Sequence, residues 1–81
     1  MDRRRKLLKH VADNPHNVRF DDLDKLLRWF GFERRDPKRG SHFVYKHPIG
    51  QIITVPYRKQ IKIVYVKKVV ALIKDCNPEE K

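Results

Sequence analysis

Eighty-one residues, 40% of them hydrophobic and 37% charged, allow one domain with a single modest core and exclude wholesale disorder. A formal net charge of +10 points to a polyanionic partner, and no apolar run approaches the ~20 residues of a membrane-spanning helix. The single cysteine, Cys76, has no second thiol to pair with, which fits a reducing cytoplasm. The basic start, residues 1–6, is not followed by the apolar stretch and small-residue site of a secretory leader. A membrane-surface peptide would gather its charge on one amphipathic helix; here the charge spreads over turns, strands and a helix, which favours nucleic acid.

Leu7, Leu8, Val11 and Ala12 set an apolar stripe on a helix over residues 2–13, opposite a face of Arg and Lys. Asn14-Pro15 ends it, because proline disfavours helix at the residue before it. The run from Arg3 to Lys6 reads as a solvated helix start in preference to an RNA-binding arm. A second helix over 20–30 has the stripe Phe20, Leu23, Leu26, Leu27 and Phe30. Asp21 and Asp22 suit its positive end, and Gly31 supplies a left-handed stop. Trp29, beside the stripe, reads as half-buried packing in preference to a base-stacking platform.

From Phe32 the apolar period becomes two. Residues 32–36 are expected to form a first strand, and Pro37-Lys38-Arg39-Gly40 a turn. A second strand over 42–47 directs Phe43 and Tyr45 to one face and His42, Val44 and Lys46 to the other. Pro48-Ile49-Gly50 closes a hairpin into a third, β-branched strand over 51–55, which Pro56 stops. The basic loop Tyr57-Arg58-Lys59-Gln60 leads to a last helix over 64–75, with Val66, Val69, Val70 and Ile73 on its stripe. Its β-branched residues lower intrinsic helicity, so burial must hold it. The expected fold class is α+β in the order α-α-β-β-β-α, a three-stranded antiparallel sheet with helices packed on one face. The expected organisation is a single domain over 1–81, with a helical extension at 1–19, a core at 20–76 and a tail at 77–81.

Between Pro37 and Lys74 there is no acidic residue, whereas Lys38, Arg39, Lys46, Arg58, Lys59, Lys62, Lys67, Lys68 and Lys74 supply nearly all of the net charge. His42 stands in that field, directly after Gly40-Ser41. His10, His16, His42 and His47 share no metal-ligand spacing with carboxylates or Cys76, so no metal or cofactor is expected. His10 and His16 read as surface residues. Ser41 is the only serine and adjoins His42 without a nucleophile elbow, which argues against a serine hydrolase. RNA cleavage needs less machinery, since the nucleophile is the substrate's own 2′-hydroxyl. An imidazole can move protons at neutral pH, and Lys or Arg can stabilise the charge that gathers on phosphorus. A lone histidine after a turn is more often structural or solvated, so composition makes this chemistry available without selecting it.

The run Gly40-Ser41-His42-Phe43-Val44-Tyr45-Lys46-His47-Pro48, then Thr54-Val55-Pro56, a basic loop and a final helix, resembles the HicA toxin family. These are small bacterial and archaeal RNA endonucleases (mRNA interferases) of type II toxin–antitoxin systems. The resemblance spans about residues 21–75 and leaves the 2–13 helix as an added element. It implies a double-stranded-RNA-binding-domain-like fold, metal-independent cleavage of mRNA in the cytoplasm, and a HicB-like antitoxin as partner. By the same resemblance His42 is the catalytic residue, and Gly40 and Ser41 shape the turn that presents it. Lys46, Arg58 and Lys59 hold the RNA backbone. Many members have a second histidine directly after the first, here Phe43, and a histidine after Val-Pro, here Tyr57. That leaves Tyr57 and His47 as auxiliary candidates; a phenol can donate a proton but makes a poor base at neutral pH. The competing reading is a non-catalytic RNA-binding domain gripping phosphates through Lys67-Lys68.

Overall fold

The structure, a computed structural model, describes residues 2–37 and 40–77. Its elements are α1 (Arg3–Asp13), α2 (Phe20–Trp29), β1 (Glu33–Arg35), β2 (His42–Lys46), β3 (Ile52–Pro56) and α3 (Ile63–Cys76). The expected α+β order holds, with element ends shifted by at most one residue. Pro56 does not stop β3 but is its last residue, opposite His42. A proline fits there because β3 is an edge strand and the position ends the ladder. Part of the expected turn, Lys38-Arg39, and the tail beyond Asn77 lie outside the described residues.

The helix ends follow from local chemistry. Asp2 caps α1 by accepting the Arg4 N–H at 2.8 Å. Asn14 closes it, its backbone and side-chain N–H groups both donating to the His10 carbonyl. At the start of α2 the Asp22 carboxylate accepts the Arg19 N–H at 3.4 Å. Gly31, at φ +95°, turns the chain after α2, and Phe32 N–H returns to the Leu27 carbonyl at 3.0 Å. A Cβ at Gly31 would also lie 3.2 Å from His47 Nε2, so the glycine clears space for that ring. No side chain caps the start of α3, whose Val66, Val69 and Ile73 are wholly buried. Packing therefore holds this β-branched helix.

One apolar cluster draws on all three helices, with Leu8 and Val11 from α1, Leu23, Leu26 and Leu27 from α2, and Val66, Val69 and Ile73 from α3. The sheet adds Tyr45 and Val55, with Phe43 and Ile53 packed against the cluster. The antiparallel order is β1-β2-β3, pairing Phe43 with Val55 and Tyr45 with Ile53 on the helix-covered face. His42 and Lys46 alternate to the other face and are exposed, as expected.

Burial of Tyr45 raises a polar problem that Asp24 solves. The Tyr45 hydroxyl donates to the Asp24 carboxylate at 2.7 Å, and Arg34 and Arg28 bind the same carboxylate at 3.2 and 3.4 Å. Burial first, then the Asp24 hydrogen bond and charge, push the Tyr45 phenol well above its usual value of about 10. The folded phenol holds its proton more tightly than the unfolded one. Its share of stability is thus complete below the ordinary tyrosine range and is lost as pH rises beyond it. Asp24→Ala leaves the phenol unpaired and is expected to lower the unfolding free energy by about 1–3 kcal/mol, measured by urea denaturation at pH 7. An unchanged midpoint would mean that water satisfies the phenol equally well.

Candidate active site

Gly40 takes φ +78°, a left-handed conformation that strains any side-chain-bearing residue, and Ser41 follows it into β2. The Ser41 carbonyl accepts the Tyr57 N–H at 2.6 Å. That bond fastens the turn before His42 to the loop after β3, although fifteen residues of hairpin separate them in sequence. His42 is thus fixed from two sides, by its pairing with Pro56 and by this turn-to-loop bond. The residue is exposed and its ring makes no hydrogen bond or ion pair among the described residues. Arg58 and Lys59 are exposed on the adjoining loop, and neither is paired with a carboxylate among the described residues.

Phe43 alternates to the helix side, where its ring lies 5.1 Å from Phe20 and 5.9 Å from Tyr57. Phe20 and Tyr57 are themselves 4.8 Å apart, and the Arg34 guanidinium sits 5.1 Å over Phe43. The two positions that the resemblance marks for a second histidine, Phe43 and Tyr57, are therefore neighbours in space, filled by aromatic packing. Tyr57 remains 58% exposed, anchored on one side and open on the other.

Lys46 and His47 stand apart from this end of the sheet. Lys46 shares the face of His42 but lies four residues along β2, about 13 Å away at the usual rise per residue. It lies opposite Glu33 and Ile52. His47 packs edge-on against Phe32 at 5.0 Å, and its Nδ1 accepts the Ile49 N–H at 3.3 Å. Of the expected site residues, Gly40, Ser41, His42, Tyr57, Arg58 and Lys59 are gathered at one end of the hairpin; Lys46 and His47 are at the other. His10 and His16 are exposed, and each engages through its backbone carbonyl, His10 with Asn14 and His16 with Gln60. Trp29 is 39% exposed, with the Lys25 ammonium 5.6 Å over its ring.

The sequence gives no sign of the groove beside Tyr57. Arg19 bridges to Gln60, Gln60 Nε2 donates to the His16 carbonyl at 2.6 Å, and Ile61 N–H to Val18 at 2.9 Å. These contacts bring the start of α2 against the basic loop and leave a groove of about 560 Å³ whose walls include Arg19, Asp21, Tyr57, Arg58 and Lys59. No local pattern announces a pairing between segments so distant in the chain. Among the described residues no three His, Cys, Asp or Glu groups stand close enough to hold a metal ion, and no helix is long and apolar enough to cross a membrane.

The model of the family described as HicA toxin of bacterial toxin-antitoxin matches residues 20–77, which takes in α2, the whole sheet and α3. The protein is thus of the toxin class of toxin–antitoxin systems. It belongs to the HicA toxin family, which is known for mRNA interferase activity and whose setting implies an antitoxin partner. No curated protein and no solved structure matches the chain.

Proposed function

We propose that this protein is the RNA-cleaving toxin of a type II pair, a metal-independent endonuclease that acts on mRNA in the cytoplasm with His42 as its proton-transfer group. The observation that supports this most is the exposed His42, its ring without a partner among the described residues, fastened through Ser41 and Tyr57 to the Arg58-Lys59 loop. His42 takes the proton of a ribose 2′-hydroxyl, and the resulting oxygen attacks the adjacent phosphorus. The bond from phosphorus to the 5′-oxygen breaks, and that oxygen takes a proton from the imidazolium or from water. Arg58 and Lys59 stabilise the negative charge gathering on the phosphoryl oxygens. Gly40 and Ser41 hold the turn. Lys46, further along the strand, meets a neighbouring phosphate of the same RNA. A HicB-like antitoxin would silence this surface by covering His42 with acidic groups.

The competing binding-only reading has one observation in its favour, the exposure of Lys67 and Lys68 on α3. They fall in the second turn of that helix and not at its start. One experiment separates the readings: wild type and His42→Ala incubated with single-stranded RNA, with and without EDTA. Cleavage that survives EDTA and vanishes in the variant fits the toxin; no cleavage by wild type, with binding intact, fits the binding module. Separately, Arg58→Ala or Lys59→Ala is expected to weaken RNA binding and reduce its log–log salt slope by about 0.7, one phosphate contact on a single strand. An unchanged slope would remove that loop from the contact surface.

A further inference from the structure

We propose that the groove between residues 17–21 and 57–60 is a nucleobase subsite that receives a guanine of single-stranded RNA, stacked on Tyr57 and held along its Watson–Crick edge by Asp21. The proposal rests on the reading of the protein as an RNA-acting toxin and adds to it a base preference at one nucleotide.

Tyr57 is the most exposed aromatic ring among the described residues with large exposed apolar groups, at 58% against 39% for Trp29. It is nonetheless propped from behind by Phe20 and Phe43, at 4.8 and 5.9 Å. A ring already held in place loses little freedom when a base stacks on its open face, which is how single-stranded RNA is commonly gripped. The groove volume of about 560 Å³ lies within the ~300–1,000 Å³ of small-molecule sites, enough for a base and its sugar. Arg19, Arg58 and Lys59 around it suit the phosphates on either side of that base.

Asp21 is the residue that anion binding does not explain. It lines the same groove and makes no hydrogen bond or ion pair among the described residues. The capping contact at the start of α2 belongs to its neighbour, Asp22. A carboxylate repels phosphate, but it accepts two parallel hydrogen bonds from a fork of donors. Guanine alone among the four bases presents two adjacent donors, N1–H and N2–H, on its Watson–Crick edge. Adenine and cytosine set an acceptor beside their amino group, and uracil flanks its imino group with two carbonyl oxygens, each facing the carboxylate unfavourably. Asn17, on the same wall, is a donor for the guanine O6. The Ser41–Tyr57 hydrogen bond ties the subsite to the turn before His42.

The test uses the full chain carrying His42→Ala, so that RNA is bound without being cleaved. Its affinity is measured by fluorescence anisotropy, at fixed low salt with EDTA, for the pentamers UUGUU, UUAUU, UUCUU and UUUUU. UUGUU is expected to bind at least about tenfold more tightly than UUAUU, as one good bidentate base contact allows. Adding Asp21→Asn is expected to abolish that preference and to strengthen UUUUU, because a charge facing phosphate is gone; Asp21→Ser is expected to do the same. Equal affinities for UUGUU and UUAUU, or a guanine preference that survives both Asp21 substitutions, would overturn the subsite. No guanine preference in the His42→Ala chain with Asp21 intact, while wild type still cleaves RNA, sinks the subsite alone; absence of binding to all four pentamers sinks the RNA reading with it.

Discussion

His42→Ala is expected to lower RNA cleavage by about 10²–10⁴-fold, the usual contribution of a positioned general acid–base, while RNA affinity stays nearly unchanged. The separation of effects follows from the geometry. The ring is exposed, makes no hydrogen bond among the described residues and lies outside the apolar cluster, so truncating it removes no packing. The cations that would hold the RNA backbone belong to other residues, chiefly Arg58 and Lys59. His47→Ala is the matched control. That imidazole packs on Phe32 and accepts the Ile49 N–H, at the far end of β2 from His42. Its loss is expected to appear in the thermal midpoint and not in the cleavage rate. Equal cleavage losses for the two variants would mean that the sheet face as a whole, and not one imidazole, supports the chemistry.

Deleting residues 2–13 is expected to unfold the protein, even though the family match begins only at residue 20. Leu8 and Val11 of α1 belong to the same buried cluster as α2 and α3, at 4% and 0% exposure. Burial of two such side chains contributes about 3–6 kcal/mol, on the order of the whole stability of a domain this small. Removing the helix also uncovers the apolar surfaces of α2 and α3 on which it packs. Circular dichroism of the 14–81 fragment is expected to show lost helix and no cooperative melt. A sharp transition near that of the intact chain would make α1 an ornament.

Much of the fold was legible because its determinants are local. The stripe Phe20-Leu23-Leu26-Leu27 and the Gly31 stop define α2, and the period-two run from His42 to Lys46 fixes which side chains face the helices. The role of α1 was not legible, since an apolar stripe at Leu8 and Val11 reveals a buried face without saying what covers it. Likewise the alternation gave Lys46 the same face as His42, but only the strand's rise shows how far apart they stand. The approach of Arg19 to Gln60, and of Asp24 to Tyr45 and Arg34, depends on tertiary packing that no window of sequence contains. The candidate histidine was therefore readable from its motif, whereas the groove and the place of Asp21 in it were not.

In the proposed mechanism His42 drives attack by the RNA's own 2′-hydroxyl without a metal. This is tested most directly by the ends of the RNA fragments that purified protein produces in EDTA. The expected products carry 2′,3′-cyclic phosphate and free 5′-hydroxyl ends, with no cutting of an otherwise identical 2′-O-methyl RNA. Fragments with 5′-phosphate ends, or cutting that persists on the 2′-O-methyl strand, would contradict it.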